Sequence, residues 1–284
     1  MSVSLRETPL SDRILVFTMG GDEVSTSFGA NCVAVRGSRG TLLVDPLVAP
    51  AHARRVEEAL GRAGFPPVVE VVVTHHHTDH ALGAGLFAAR GVRVHAHRRC
   101  AEAMAALHPA LVADRREVPS LAALFADAEP YAPGALFEEM EAIDLGDLAA
   151  EVRHLGPAHT PGDAVVLFPS EGLAVAGDLL LHGYHANYED ADRQGVRRSL
   201  AELSALAVRF VPGHGPPGGR ELLAEQARYH DEAERIARRG PTAEEAAAEL
   251  VARFPGHLLA AAAAQGVRFW RGRGRTPRQE GGYR

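Results

Sequence analysis

Residues 68–80 have the sequence VVEVVVTHHHTDH, in which a run of β-branched residues passes directly into four histidines and an aspartate. The run has the length and the nearly continuous apolar character of a buried strand. His75 and His77 are two residues apart, so on an extended segment their side chains point to the same side and can converge on one ion. The chain then turns, and Asp79 and His80 can reach a second position nearby. The stretch therefore predicts a metal site at the end of a strand.

Strand and helix patterns alternate on both sides of this stretch. In the first hundred residues, strands are predicted over 13–19, 31–36, 41–45 and 92–96, and helices over 50–64 and 82–90. Strands resume at 151–155, 164–168, 173–176 and 207–211, with a helix near 195–206, so the second half repeats the architecture of the first. This alternation is typical of the α/β class.

Two helical segments interrupt or follow the alternation. Residues 100–140 are Ala-rich and contain four prolines but no convincing strand, so we predict a helical insertion that forms a wall or lid over the site. We predict a catalytic domain over 1–218, a helical C-terminal appendage over 219–270 and a flexible basic tail over 271–284.

Composition excludes several classes of protein. The 284 residues are 46% hydrophobic and 23% charged, which suffices for a real core, and the net charge of −6 argues against nonspecific binding to nucleic acid or to anionic membranes. The sequence lacks a secretory signal and an apolar run long enough for a membrane helix. Two cysteines fit a reducing compartment. We therefore expect a cytoplasmic protein with a small-molecule substrate; its oligomeric state is left open.

Three further candidate ligands lie at predicted strand ends or in Gly/Pro turns: His159 in GPAHTPGD, Asp178 in AVAGDLL and His214 in VPGHGP. Together with His75, His77, Asp79 and His80, they give five imidazoles and two carboxylates, ligand types that suit Zn²⁺. Iron and manganese accept the same donors. The number of ligands is enough for two ions, with one carboxylate between them.

The order and approximate spacing of these seven residues resemble the metallo-β-lactamase superfamily over roughly residues 13–216. The resemblance implies a four-layer αβ/βα sandwich, two mixed sheets facing each other with helices outside. It implies that His75, His77 and His159 hold a first metal, that Asp79, His80 and His214 hold a second, and that Asp178 bridges them. Because both His80 and Asp178 are present, the ligand set resembles that of the two-metal members, such as glyoxalase II-like hydrolases and lactonases. Ala81–Gly85 departs from the Gly-Gly that often follows this motif in the family, without affecting a ligand.

Other residues are candidates for supporting roles. Zinc lowers the pKa of a bound water towards ~7, so hydroxide becomes available at neutral pH, and Asp79 could also orient that water. His182 and His185, in the segment that follows Asp178, are candidate pocket residues that could assist the oxyanion or protonate a leaving group. Asp45, at a strand end, is a candidate partner for a metal-bound histidine. His76 should point away from the metals by strand alternation.

These observations favour a binuclear zinc hydrolase that uses a metal-bound hydroxide to cleave a small-molecule thioester, ester or lactone. Four alternatives stay open: a persulfide dioxygenase-like oxidoreductase with a single iron, a β-lactam hydrolase, a phosphodiester hydrolase and a metal-binding scaffold. The absence of a basic stripe gives no support for a glutathione-thioester site, and the absence of a signal peptide counts against β-lactams.

Overall fold

Two β-sheets face each other in the computed structural model, which describes residues 4–240 and 242–272. The first sheet has seven strands whose spatial order is their order in the chain. They are β1 (Arg6–Pro9), β2 (Ile14–Thr18), β3 (Asn31–Gly37), β4 (Gly40–Val44), β5 (Val68–Val72), β6 (Arg93–His97) and β7 (Ala135–Phe137). Pairing is antiparallel from β1 to β4 and parallel from β4 to β7.

The second sheet has five strands in the spatial order β12-β11-β10-β9-β8. They are β8 (Met140–Asp144), β9 (Ala149–His154), β10 (Ala164–Phe168), β11 (Leu173–Val175) and β12 (Arg209–Val211). Only the β11–β12 pair is parallel. Both sheets are therefore mixed, as the resemblance implied.

Alternation along β2 shows how the sequence builds the layers. Ile14 and Val16 belong to the apolar cluster between the two sheets, whereas Leu15 and Phe17 belong to the cluster beneath the outer helices. Successive side chains point to opposite faces of a sheet, so the two pairs pack into different clusters. Both faces of the strand are therefore buried. The predicted four-layer arrangement is confirmed.

Nine α-helices occur in the described residues, and most cover the outer faces of the sheets. They are α1 (Pro50–Arg62), α2 (Thr78–Ala81), α3 (Gly85–Ala88), α4 (Arg98–Glu117), α5 (Ala122–Phe125), α6 (Gly195–Leu206), α7 (Glu221–Arg239), α8 (Ala243–Arg253) and α9 (Ala262–Arg271). Helix α1 packs on the first sheet, and α6 to α9 share one apolar cluster with the second. No helix within 4–240 and 242–272 is both long and apolar enough to cross a bilayer.

The prediction of a helical insertion without a convincing strand over 100–140 was wrong at its C-terminal end. Only α4 and α5 are helical there, whereas β7 closes the first sheet and β8 begins at Met140. Parallel pairing with β6 fixes β7, in the register His95↔Ala135 and His97↔Phe137. A three-residue strand held by a partner distant in sequence has no periodicity of its own, which is why the pattern missed it.

The segment predicted as a C-terminal appendage contains α7, α8 and α9, and whether it is a separate unit stays a prediction. Arg271 does not begin a flexible tail: it ends α9, and its Nε donates to the carbonyl oxygen of Ala237 at 2.6 Å. The rest of the predicted tail, from 273 to 284, lies outside the described residues.

Candidate metal centre

The seven predicted ligands meet at one edge of the two sheets. The 75–80 segment follows β5, His159 lies in the turn between β9 and β10, Asp178 follows β11 and His214 follows β12. Strand pairing brings together the loops that follow neighbouring strands at the same edge of a sheet. The fold therefore gathers residues that are up to 139 positions apart in the chain.

The first cluster consists of His75, His77, His159 and Asp178. One possible ligand atom from each of these residues lies within 4.8 Å of those of the other three. Nδ1 of His77 is 2.9 Å from Nε2 of His159, which is 3.4 Å from Oδ2 of Asp178. Nε2 of His75 is buried and has no hydrogen-bond partner among the described residues. An unpartnered nitrogen beside two others and a carboxylate fits a metal ligand.

Asp79, His80 and His214 form the second cluster, again with ligand atoms within 4.8 Å of one another. Nε2 of His80 and Nε2 of His214 are 3.3 Å apart, and Nε2 of His214 is 3.2 Å from Oδ2 of Asp79. These donors are the same mixture of imidazole and carboxylate as in the first cluster, so both clusters fit a divalent cation such as Zn²⁺.

Asp178 joins the two clusters. Its Oδ2 faces His159, whereas its Oδ1 is 3.2 Å from Nε2 of His80 and 3.4 Å from Nε2 of His214. Gly213 permits this approach, because a Cβ at that position would lie 1.9 Å from Oδ1 of Asp178. One carboxylate thus contacts both ligand sets, as the resemblance implied.

Hydrogen bonds on the far side of the imidazoles orient the second cluster. Nδ1 of His80 donates to Oδ2 of Asp45 at 2.9 Å, and Nδ1 of His214 donates to the carbonyl oxygen of Phe28 at 2.9 Å. Asp45 also accepts from the backbone N–H and the hydroxyl of Thr74. With Nδ1 donating in both rings, the neutral form of each imidazole carries its lone pair on Nε2, which faces the cluster. The predicted contact of Asp45 with a ligand histidine is confirmed.

Asp190 contacts the far side of the His77 ring, as Asp45 does for His80, and sequence analysis missed it. Its Oδ2 is 3.4 Å from Nε2 of His77 and 3.2 Å from Nε2 of His76. His76 was expected to point away from the metals, yet its ring centroid lies 4.8 Å from that of His77, and the two rings and Asp190 form a third group of possible ligand atoms. The side chain of His76 is buried, and its carbonyl oxygen accepts a hydrogen bond from Nε2 of His108 at 2.7 Å. Asp190 is 113 residues from His77 in the chain and lies in no motif, so no sequence signal pointed to this contact.

Burial and opposite charges set the protonation of the ligands. Burial lowers the pKa of His159 to about 3, so its imidazole is neutral and able to ligate a cation. Burial acts in the same direction on His214, but the Asp178 and Asp79 carboxylates outweigh it and raise the pKa of His214 to about 9. Although burial opposes it, His80 and His214 lower the pKa of Asp79 to about 2. The centre therefore holds ionised carboxylates that attract positive charge.

The two predicted pocket histidines lie outside both clusters. His182 is partly exposed, and its Nδ1 donates to the carbonyl oxygen of Pro216 at 2.9 Å. His185 is buried, with Nδ1 2.9 Å from the hydroxyl of Tyr229 on α7. Their catalytic roles stay predictions.

A narrow cavity adjoins the first cluster. It has room for about one water molecule and is lined by His159, Asp178, Tyr188, Gln226 and His230, among others. Gln226 and His230, both on α7, therefore lie close to the candidate ligands His159 and Asp178.

Comparison with known proteins agrees with this geometry. Residues 26–215 match the Metallo-beta-lactamase superfamily, and the chain belongs to this superfamily. A metallo-beta-lactamase structure from Pontibacter korlensis superposes with a TM-score of 0.63 at 21% identity, covering 79% of this chain and 98% of that one. That likeness concerns the fold.

Two curated relatives are similar over shorter regions. The 2,4-dinitroanisole O-demethylase subunit alpha of Nocardioides sp. is 27% identical over 186 residues, covering 64% of this chain and 51% of that protein. The hydroxyacylglutathione hydrolase of Acidiphilium cryptum is 33% identical over 165 residues, covering 57% of this chain and 54% of that protein. The chain thus spans about half the length of these relatives.

Proposed function

We propose that this protein is a metal-dependent hydrolase that binds two divalent cations, by preference zinc, and cleaves a small-molecule thioester, ester or lactone. The observation that carries the proposal is the position of Asp178, whose two carboxylate oxygens face the two ligand clusters separately. A shared carboxylate supports a paired centre, which suits hydrolysis. Membership of the superfamily and the relative named hydroxyacylglutathione hydrolase support the same reaction class.

His75, His77 and His159 would hold one cation, Asp79, His80 and His214 the other, and Asp178 both. When bound, such a pair supplies Lewis-acid polarisation of the scissile group and a water of lowered pKa.

The chain's own groups orient the reactants. Asp79 stays ionised at neutral pH because His80 and His214 lower its pKa to about 2. Its side chain is 12% exposed, so an oxygen of Asp79 can accept a hydrogen bond from an incoming water and orient it. The other ligand carboxylate, Asp178, is 8% exposed and less open to solvent.

A single-iron dioxygenase resembling persulfide dioxygenases is the second candidate. Imidazole and carboxylate ligands suit iron as well as zinc, and the cluster of His75, His77, His159 and Asp178 could hold one ion alone. Metal analysis separates the two: two equivalents favour the hydrolase, whereas one equivalent of iron favours the dioxygenase.

A hydrolysis screen tests the proposal. The purified protein is assayed against thioesters, esters, lactones, β-lactams and phosphodiesters, with and without a chelator. We expect turnover of at least one thioester, ester or lactone that the chelator abolishes. His77→Ala and Asp178→Ala should each lower that turnover at least ~100-fold with unchanged far-UV circular dichroism, and the surface variant Asp12→Asn should match wild type. Full activity in either ligand variant, or turnover insensitive to the chelator, would contradict the proposal.

A further inference from the structure

Arg115, on α4, reaches the metal-binding segment from the insertion. Its Nη1 donates to the hydroxyl of Thr78 at 2.8 Å, and its guanidinium stacks over the ring of Phe125 at 5.1 Å from the ring centroid. Thr78 lies between the ligands His77 and Asp79 in the chain. Only the Thr78 side chain thus separates the Arg115 guanidinium from the segment that carries these ligands.

The charge of Arg115 is not neutralised by a neighbouring carboxylate. Within residues 4–240 and 242–272, no carboxylate oxygen lies within 4 Å of its guanidinium, whereas the adjacent Arg116 pairs with Glu129 at 2.6 Å. Burial lowers the pKa of Arg115, and attraction to the more distant Asp79 offsets this only in part. A hydroxyl and an aromatic ring do not replace the hydration of a cation, so this position favours an additional anionic partner.

Arg115 also stands at the open side of the centre. The ligand side chains of His77 and Asp79 are 17% and 12% exposed, whereas those of His159 and Asp178 are 4% and 8% exposed. The Arg115 side chain is half-buried, and within residues 4–240 and 242–272 its guanidinium donates to the Thr78 hydroxyl and to no other acceptor. A ligand that enters beside His77 and Asp79 therefore meets free N–H groups of a guanidinium.

We propose that Arg115 is a specificity-determining residue that binds a carboxylate of the substrate, so that the hydrolysed compound is an organic anion. This inference rests on the proposed function for its substrate. A guanidinium presents paired N–H donors that match the two oxygens of a carboxylate, which a lysine ammonium does not. The alternative is that Arg115 only fastens α4 to Thr78.

Equilibrium binding distinguishes the two without any turnover. Metal-loaded protein is titrated calorimetrically with α,ω-dicarboxylic acids of increasing length and with their monoamides. Both compounds of each pair keep one carboxylate for the metals, and only the diacid offers a second one to Arg115. At the length that spans the two positions, wild type should bind the diacid about tenfold more tightly than the monoamide.

Variants assign that preference to Arg115. Arg115→Gln should bind both compounds equally, Arg115→Lys should keep a reduced preference, and Arg238→Gln, an exposed residue at the end of α7, should behave as wild type. Equal binding of diacid and monoamide by wild type at every length, or an unchanged preference in Arg115→Gln, would overturn the inference. If the hydrolysis screen finds no substrate, these titrations still decide the role of Arg115.

Discussion

Oδ2 of Asp190 lies 3.4 Å from Nε2 of His77, while the other ring nitrogen, Nδ1, lies 2.9 Å from Nε2 of His159. A carboxylate on one side of an imidazole retains the proton on that side and leaves a lone pair on the other nitrogen. Asp190 thus selects the tautomer in which His77 can bind a cation through Nδ1. The same arrangement recurs at His80, where the carboxylate is that of Asp45.

Asp190→Asn should weaken metal binding in the first cluster by about tenfold, because a neutral amide holds the His77 tautomer less firmly. Competition with a chromogenic chelator measures the affinity. Asp231→Asn, which removes an exposed carboxylate on α7, serves as the control and should not alter it. Equal affinities for Asp190→Asn and wild type would show that the contact does not orient the ligand.

Asp45→Asn should destabilise the fold by about 1–3 kcal/mol. Asp45 accepts hydrogen bonds from Thr74 at 2.8 and 2.7 Å and from His80 at 2.9 Å, and an asparagine would place an NH₂ group against one of these donors. The backbone of Asp45 has φ +54°, which asparagine tolerates, so strain does not contribute. Urea denaturation measures the difference, and an unchanged midpoint and slope would refute it.

The convergence of the seven candidate ligands could be predicted because each lies where a sequence pattern ends: a buried strand before His75, or a Gly/Pro turn around His214. The predicted strands agree with the structure to within two residues at their ends. Asp190 and Arg115 could not be predicted, since each acts through a contact with a segment distant in the chain and neither has a distinctive neighbourhood. Strand β7 was missed for the same reason, because its pairing with β6 is a tertiary property.

His185→Phe tests the role predicted for this histidine. The ring is buried beside His257, and its Nδ1 is bonded to the Tyr229 hydroxyl, so its contacts favour a packing role. We expect the free energy of unfolding to fall by about 1 kcal/mol, through the lost hydrogen bond, while kcat for the identified substrate changes less than twofold. A large fall in kcat at unchanged stability would instead establish His185 in the chemistry.

Acid sensitivity should follow from His230. Burial lowers its pKa to about 3 in the folded chain, whereas an unfolded histidine titrates near 6.5. As the pH falls below about 6.5, the unfolded state gains a proton that the folded state does not, so the free energy of unfolding decreases by up to about 1.4 kcal/mol per pH unit from this group.

His230→Gln keeps an acceptor for the Gln226 amide and removes the titration. The free energy of unfolding is measured with urea at pH 7.5 and 5.0, on protein from which metal has been removed with a chelator. It should differ less between the two pH values in this variant than in wild type. His182→Gln, at a partly exposed position, is the control. A pH difference that is the same in His230→Gln and wild type would exclude His230 as a source of acid sensitivity.

The proposed function depends on two ligand clusters that share Asp178 and hold a pair of cations. Elemental analysis of zinc-loaded protein after dialysis tests it most directly, with His214→Ala, which loses a ligand of the second cluster only, in parallel. We expect close to two equivalents of metal per chain in wild type and close to one in His214→Ala. A single equivalent in wild type, or equal metal content in the two proteins, would contradict it.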